Sequence, residues 1–375
     1  MGKEIRVGII GLGNVPSGLI QGIEFYRRHP DRRMPSIVDK SGYDIRNIKI
    51  SCAFDIDKRK IGKDIKDAIY VYPNLVKWIN IPKSGVIVKQ GPRFDSVGKY
   101  VKGNLEIVKE QSVGRLEKEI LKEIYNTETE VLVNCLPVGS QKATEFWVRI
   151  ALKTKCAFIN AIPVFIASNK AWEKRFASAR VPIIGDDIKG VLGATVIHRN
   201  IANLIDSRGA KLVNTYQLNI GGNTDFKNML ERERLVSKKI SKTESVQSQL
   251  THPLNAKDIH IGPSDFVEFL GNTKIAHMYF YGSIWADAPY KIYITIEVND
   301  KANAAGILVD AIRLAKVAID RKIGGAILAP SAYLMKHPPV QFSDTEARRM
   351  LEYFIYRKDP EKDHGNNYDA KKQST

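Results

Sequence analysis

A short apolar run that breaks at glycines opens the chain, and no other segment constrains the fold as strongly. Ile5–Ile10 reads IRVGII, which is typical of a buried parallel strand, and LIQGIEFY after the break has helical spacing. The break, GLGNVPSG, places Gly11 and Gly13 where the strand turns into the helix. Glycines there let the backbone approach a pyrophosphate, whose charge then rests on amide groups of the helix N-terminus. The sequence therefore predicts a dinucleotide-binding turn.

The glycine signature is incomplete, so the next strand is needed to support it. Pro16 stands at the third glycine position, and a glycine turn can also be only a tight connection. The strand IKISCAFDID ends at Asp55 or Asp57, where a carboxylate binds the adenosine ribose in NAD-type folds. Asp55 comes later than the usual interval of about 20 residues, which an inserted loop at roughly residues 29–46 would explain. The alternative is that Asp55 and Asp57 cap the following helix.

Three later segments repeat the pattern of a buried strand with a polar end: TEVLVNCLPVGS, CAFINAIPVFIAS and VPIIGDDIKG. Strands that alternate with helices predict an α/β fold, a Rossmann-type doubly wound parallel sheet with its ligand crevice at the carboxyl ends of the strands. The polar residues expected near that edge are Asn134, Asn160, Asp186 and Asp187.

The character of the sequence changes after about residue 209. KLVNTYQLNIGG, HMYFYGSIW and YKIYITIEV are rich in β-branched and aromatic residues with partial alternation, which predicts an open mixed or antiparallel sheet. A long helical pattern returns from Ala304. We therefore predict a Rossmann domain over 1–205 and 301–356, and an inserted α+β catalytic domain over 206–300. A polar tail with almost no apolar residues, 357–375, is predicted to be disordered.

The charge balance favours anionic partners. Lysine and arginine number 58 against 41 acidic residues, for a net charge of +17. Such an excess suggests phosphorylated or nucleic-acid partners. The basic residues are dispersed, however, and no zinc-finger spacing or RNA-binding signature accompanies them, so we expect no nucleic-acid partner. A field that gathers small phosphate anions explains the same excess.

The cysteines and the apolar runs indicate a cytoplasmic protein with no membrane partner. Cys52, Cys135 and Cys156 form no C-x-x-C pair and each lies in an apolar run, as reduced core cysteines do. The N-terminus goes directly into a strand pattern rather than that of an export peptide, and no apolar run of about 18 residues occurs.

The stretch VSKKISKTESV concentrates lysines in a predicted helix. Lys238 and Lys242 stand four positions apart, so they share one helix face, where like charges repel by a few tenths of a kcal/mol. An anionic ligand would offset that repulsion, and so would solvation on a charged surface. The spacing by itself favours solvation.

Several blocks in order resemble the myo-inositol-1-phosphate synthases, in particular their archaeal and bacterial branch. The blocks are GLGNVPSGLIQGIEF, LVNCLPVGS, GDDIKG, NIGGNTDF, SKKISK, GNTK and PSAYLMKHPP, and the likeness covers about residues 5–344. It implies an NAD-binding Rossmann domain with an inserted catalytic domain, usually in a homotetramer, that serves inositol and phospholipid biosynthesis. It also implies an isomerase of the intramolecular-lyase type that converts D-glucose 6-phosphate to 1-myo-inositol phosphate. The expected steps are NAD-dependent oxidation at C5, enolisation, aldol cyclisation and re-reduction.

The resemblance also assigns roles to individual residues. Developing oxyanions require preorganised cations, and a lysine whose pKa is lowered can also transfer protons. The implied catalytic residues are Lys238, Lys242, Lys274, Lys336 and Asp225. Asp225 would also hold a divalent metal ion if one is used, and a helix cap is the alternative for this residue. The implied NAD-binding residues are Gly11, Gly13, Asn14, Val15, Asp55, Asn134, Asp186, Asp187, Lys189 and Asp300. For Asp300, a turn residue after a strand is the alternative.

Two departures from the family pattern leave room for other substrates. Asn272 stands where many relatives have an aspartate, and His337 follows Lys336 where a smaller residue is common. An NAD(P)-dependent dehydrogenase, or a synthase for a related sugar phosphate, is therefore the alternative function. A basic nucleic-acid-binding protein is a second alternative, for which the motifs provide no support.

Overall fold

The computed structural model describes residues 4–109, 111–262 and 265–356. The strands in chain order are β1 (Ile5–Ile10), β2 (Ile48–Asp55), β3 (Lys89–Gln90), β4 (Val131–Asn134), β5 (Ala157–Asn160), β6 (Pro182–Ile184), β7 (Lys211–Gly221), β8 (Ile259–Ile261), β9 (Asp265–Phe266), β10 (Thr273–Ser283), β11 (Pro289–Asn299) and β12 (Gly325–Ala326). The helices are α1 (Asn14–Arg28), α2 (Ile65–Ala68), α3 (Val113–Asn126), α4 (Gln141–Thr154), α5 (Lys170–Ala179), α6 (Ala194–Ser207), α7 (Thr224–Asn228), α8 (Val236–Gln247), α9 (Asp300–Asp320), α10 (Leu328–Leu334) and α11 (Asp344–Tyr356). The predicted disordered tail lies outside the described residues.

Seven parallel strands form the first sheet, in the order β12-β6-β5-β4-β1-β2-β3. The chain reverses its direction of winding between β1 and β4, and ligands bind in open α/β sheets at such a switch point. Apolar side chains fill both faces, since α1 and α9 pack in one core and α3, α4 and α5 in the other. The predicted doubly wound parallel sheet is therefore confirmed.

The second sheet is mixed, as predicted. Strands β11, β10 and β7 are antiparallel neighbours, whereas β8 and β9 both run parallel to β7. One face packs with α6 and α8 around Phe280 and Val246. The opposite face carries a row of three tyrosines, in which Tyr216 stacks on Tyr279, Tyr279 makes a tilted contact with Tyr293, and Tyr293 is exposed.

The predicted inserted loop after α1 is present and is anchored to the core. It contains two short 3₁₀ turns, Ile37–Ser41 and Ile45–Asn47. Ser36 Oγ donates a hydrogen bond to Asp310 of α9 at 2.8 Å, and Asp39 forms an ion pair with Arg313 at 2.6 Å. These contacts to α9 explain how β2 can start so late and still lie beside β1.

Two of the three cysteines lie in the core of the first sheet. Cys52 and Cys156 are buried and Cys135 is partly exposed, and all three are free. Over the described ranges, no helix has both the length and the apolar content needed to cross a bilayer.

Candidate active site

A cavity of about 300 Å³ opens at the carboxyl ends of β1, β2 and β4. Two sets of residues in its lining carry groups that could bind ligands. The first, here called the glycine wall, consists of Gly11, Gly13, Asn14, Val15 and Asp55. The second, here called the lysine wall, consists of Lys238, Lys242, Lys274, Lys336, Asp187 and Asp225. The structure therefore brings residues of the second sheet and its helices against the switch point of the first.

The glycine turn has the geometry that close approach of a ligand requires. Gly11 has φ +82°, which favours glycine, and a Cβ there would stand 3.1 Å from the Cys135 carbonyl oxygen. A Cβ on Gly13 would meet no atom within 4 Å, so it would project into open space. Gly13 is also the N-cap of α1 and leaves the first amides of the helix without a side-chain cap. Such amides can receive an anion.

Pro16 explains why the signature departs from three glycines. With Gly13 at the N-cap, Pro16 falls in the first turn of α1. The amide that a proline lacks has no helical acceptor at that position, so the helix loses no hydrogen bond. The incomplete glycine motif is therefore compatible with an intact strand, turn and helix.

Asp55 is held against the glycine turn. Its Oδ2 accepts a hydrogen bond from Leu12 N at 2.9 Å and lies 3.4 Å from Lys60 Nζ. The alternative that Asp55 and Asp57 cap the next helix is wrong, because that helix, α2, has Asp64 as its N-cap. Asp55 lines the cavity, which is consistent with its predicted contact with a ribose.

Two of the residues predicted to bind cofactor lie behind the cavity and do not line it. Asn134 and Asp186 are fully buried. Asn134 Nδ2 donates to Asn160 at 3.0 Å, and Asn160 Nδ2 donates to Asp186 at 2.7 Å. Asp186 also accepts from Ser168 Oγ at 2.9 Å. Their assignment to cofactor contact is therefore corrected, since they join β4 and β5 to the loops that follow β5 and β6.

The neighbouring residue, Asp187, faces the lysine wall instead. It accepts hydrogen bonds from Lys336 Nζ at 2.9 Å and Ser241 Oγ at 2.6 Å. Burial alone would raise the pKa of Asp187, but Lys336 and Lys238 hold it below its usual range. Asp187 is thus charged and fixes Lys336 relative to α8.

Lys189 borders the cavity but directs its ammonium group away from the other lysines. Its Nζ donates to the Ala332 carbonyl oxygen at 2.9 Å and to Asp344 at 3.1 Å. Burial and the nearby Arg199 lower the pKa of Lys189 to about 7. Lys189 therefore links the loop after β6 to α10 and α11.

The four predicted catalytic lysines converge on one volume. Helix α8 presents Lys238 and Lys242 to the cavity, whereas Lys239 between them is exposed, as the helical spacing requires. Lys274 comes from the start of β10 and Lys336 from the segment just after α10. Three separate elements therefore supply the four lysines of the lysine wall.

The two lysines of α8 have opposite electrostatic environments. Burial disfavours charge on Lys238, but Asp225 and Asp187 outweigh it and raise the pKa of Lys238. Its Nζ donates to Asp225 at 3.3 Å. Burial and the ammonium groups of Lys274, Lys238 and Lys336 lower the pKa of Lys242 well below its usual value. Lys238 is therefore a fixed cation, and Lys242 is suited to hold or release a proton.

Asp225 and Asp300 both lie among cations. Asn223 is the N-cap of α7, so the alternative role of Asp225 as that cap is wrong. Asp300 is the first residue of α9, 2.7 Å from Lys301 and 4.0 Å from Lys274. Within the described ranges, no group of three or more His, Cys, Asp or Glu side chains could hold a metal ion.

Reasoning from the sequence missed two buried lysines. Lys60 and Lys301 line the cavity and are almost fully buried. Lys60 Nζ donates to the Leu12 carbonyl oxygen at 2.8 Å, which joins the segment after β2 to the glycine turn. The one feature of the sequence that could have indicated them is that each lysine closely follows an aspartate predicted to bind NAD, Asp55 or Asp300.

The two departures from the family pattern lie outside the cavity lining. His337 stacks on Phe165 with ring centroids 3.9 Å apart, and its Nδ1 lies 2.9 Å from Glu244 of α8. The Asn272 carbonyl oxygen accepts from Asp300 N at 2.9 Å. Both residues therefore support elements that carry cavity residues.

Comparisons with known proteins show which sequences and structures this chain resembles. Residues 193–301 match the family described as myo-inositol-1-phosphate synthase. The chain is 45% identical over 356 residues to inositol-3-phosphate synthase of Mycobacterium tuberculosis, covering 94% of this chain and 96% of that protein. It is also 45% identical over 360 residues to the Mycolicibacterium smegmatis enzyme of the same name, covering 94% and 98%. A Thermotoga maritima crystal structure of a myo-inositol-1-phosphate synthase-related protein superposes with a TM-score of 0.78 at 25% identity, covering 94% of this chain and 98% of that chain.

Proposed function

This chain belongs to the myo-inositol-1-phosphate synthase family, and from that membership we propose that it converts D-glucose 6-phosphate to 1-myo-inositol phosphate without net redox change. The resemblance predicted from the motifs is thereby confirmed at the level of the family. One observation carries the proposal for this chain. A glycine turn suited to a dinucleotide opens into the same cavity as a cluster of buried lysines.

NAD fits the glycine wall. The open space above Gly13, the uncapped amides of α1 and the carboxylate of Asp55 are the groups that a pyrophosphate and a ribose require. When bound, NAD would accept the hydride from C5 and return it to the cyclised ketone. Asn14 ties this wall to the inserted domain, because its Nδ2 donates to Thr224 Oγ1 at 3.3 Å.

The N-terminus of α6 supports a position for the substrate phosphate. The N-cap residue of α6, Gly193, makes no side-chain hydrogen bond to the first amides of the helix. Gly193, Ala194 and Thr195 line the cavity. Free amides and the positive end of the helix dipole favour an anion there. We expect the substrate phosphate to bind to these amides and the sugar ring to lie among the lysines of the lysine wall.

The lysine wall has the properties that the proton transfers require. Burial and the neighbouring ammonium groups lower the pKa of Lys242 well below its usual value, which suits this lysine to exchange a proton with a sugar carbon or hydroxyl. Lys238 and Lys336, paired with Asp225 and Asp187, would be fixed cations for oxyanions. Lys274 has a lowered pKa owing to burial, and it would donate to the oxygen that becomes negative during cyclisation.

The test is to incubate the protein with glucose 6-phosphate and NAD, and to follow phosphorus NMR and NADH absorbance together. We expect an inositol phosphate to form without NADH accumulation, and Lys274→Ala to abolish the conversion. Steady NADH production would indicate the alternative, an NAD(P)-dependent dehydrogenase. A lack of reaction despite NAD binding would point to a related sugar phosphate.

We also propose a cytoplasmic homotetramer that supplies inositol for phospholipid biosynthesis. The free, largely buried cysteines support a reducing compartment. The stacked tyrosines on the open face of the second sheet support a subunit contact, because exposed aromatic surface favours association. Helix α6 packs on β7 and α8, so we place the start of the inserted domain near Gly193 rather than at 206. The Rossmann domain would then resume at α9.

A further inference from the structure

Each carboxylate among the residues lining the cavity already has an ammonium partner. The pairs are Asp55 with Lys60 at 3.4 Å, Asp187 with Lys336 at 2.9 Å, Asp225 with Lys238 at 3.3 Å, and Asp300 with Lys301 at 2.7 Å. A divalent ion such as Mg²⁺ is bound through carboxylate and other oxygens, with water or phosphate completing its shell. A metal ion would have to compete with a lysine for each of these carboxylates. The residues present therefore do not fit a metal ion.

Lys301 forms the shortest of these pairs and has no assigned role. Its side chain is 4% exposed, and it lies at the start of α9, where the second sheet passes back to the first. Its backbone carbonyl packs against α1, 3.5 Å from where a Cβ of Gly18 would stand. Lys301 therefore lies beside the helix whose N-terminus belongs to the glycine wall.

The field of Lys301 also reaches the glycine turn. Burial raises the pKa of the Cys135 thiol to about 12, and Lys301 is the charge that opposes this rise. The Cys135 carbonyl oxygen is the atom that a Cβ on Gly11 would approach to 3.1 Å. Lys301 and the glycine turn line the same cavity, so the Lys301 ammonium can act on an anion bound at the turn.

The cavity lining is rich in cations without a metal ion. It contains seven lysines against four aspartates. NAD and a phosphate monoester are both anionic, and the lysines of the lining can offset their charge.

We propose that the Lys301 ammonium, held by Asp300, is the cation that neutralises the bound NAD pyrophosphate, and that the enzyme therefore requires no metal ion. The proposal rests on the proposed function in one respect, since it needs NAD to bind at the glycine wall. It assigns Lys301 to cofactor binding, separately from the lysines that act on the sugar.

The first test measures NAD affinity by isothermal titration in a buffer that contains EDTA. We compare wild type with Lys301→Met, which keeps the length of the side chain but removes its charge, and with Lys301→Arg, which keeps the charge. The matched control is Lys239→Met, because Lys239 is exposed on α8. We expect Lys301→Met to weaken NAD binding at least about tenfold, and the other two variants to change it by less than about threefold. An unchanged dissociation constant in a folded Lys301→Met protein would overturn the proposal.

The second test removes metal ions from the wild-type protein, so it stands even if Lys301→Met does not fold. We expect EDTA to leave the NAD dissociation constant and the rate of inositol phosphate formation unchanged within about twofold. If EDTA abolished NAD binding or inositol phosphate formation, and Mg²⁺ or Zn²⁺ restored it, the proposal that the enzyme requires no metal ion would be overturned. Failure to make inositol phosphate while Lys301-dependent NAD binding persists would refute only the proposed function. If wild type does not bind NAD under either condition, both proposals are wrong.

Discussion

The glycine wall and the lysine wall enclose one cavity but are built in opposite ways. The glycine wall offers mainly backbone amides and open space, carried by a parallel sheet with apolar packing on both faces. The lysine wall offers side-chain charges from α8, β10 and the segment after α10. Backbone groups keep their properties when side chains change, whereas each lysine depends on its neighbours for its protonation state. The two walls should therefore respond differently to substitution.

The largest expected effect comes from the lysine wall. Lys242→Met removes the lysine with the strongly lowered pKa, so kcat should fall by about 10²- to 10⁴-fold, the usual contribution of a general acid or base. The NAD dissociation constant should change by less than about threefold, because Lys242 is not part of the glycine wall. Lys239→Met is the control, and steady-state kinetics with a binding titration measure both quantities. A loss of NAD affinity equal to the loss of kcat would contradict this division.

A substitution in the glycine wall should give the reverse result. Gly13→Ala places a methyl group in open space, so the melting temperature should remain close to that of wild type. The same methyl group would occupy space that a pyrophosphate needs, and NAD affinity should fall by about tenfold or more. Gly22→Ala is the control, since it lies in α1 and also meets no atom within 4 Å. Equal NAD affinity in Gly13→Ala and Gly22→Ala would exclude the glycine turn as the cofactor site.

A smaller effect is expected on the pH dependence of stability, and it comes from the core of the second sheet. His198 of α6 is buried against the second sheet, and burial lowers the pKa of its imidazole to about 4. In the unfolded chain a histidine has a pKa of about 6.5. The unfolded state therefore binds the proton more tightly, and the stability contribution, complete above pH 6.5, is lost as the pH falls towards about 4.

The corresponding experiment is urea unfolding between pH 7 and pH 4, followed by circular dichroism. His198 should contribute at most about 1.4 kcal/mol per pH unit to the fall in unfolding free energy. His198→Gln keeps the possibility of hydrogen bonds to Thr215 and Gln217 and should reduce that slope. An identical slope in both proteins would show that His198 does not titrate in this way.

The sequence predicted the glycine wall better than the lysine wall, because local patterns define the former. A strand, two glycines and a helix within residues 5–28 are adjacent in the chain, and their geometry follows from backbone preferences. Lys274 and Lys336 are far apart in sequence, and only the family resemblance brought them together. Lys301 was missed because its burial and its pairing with Asp300 depend on the way α9 returns to the first sheet.

The errors at Asn134 and Asp186 have a related cause. Both follow the rule that polar residues at the ends of parallel strands face the ligand crevice. That rule does not specify on which side of the sheet edge a side chain lies. In the folded protein the two residues are joined through Asn160 and are closed off from the cavity. The strand ends were thus predicted, but the direction of their side chains was not.

The most direct test of the proposed function follows the hydrogen at C5 of the sugar, which we expect to leave to NAD at the glycine wall and to return to the same carbon after cyclisation at the lysine wall. The measurement uses glucose 6-phosphate deuterated at C5, with less NAD than substrate, and detects the product by mass spectrometry and NMR. We predict many turnovers per NAD and an inositol phosphate that retains the deuterium at the carbon from which it was removed. Deuterium that accumulates in NADH or is lost to water would contradict a hydride that leaves and returns within one cavity.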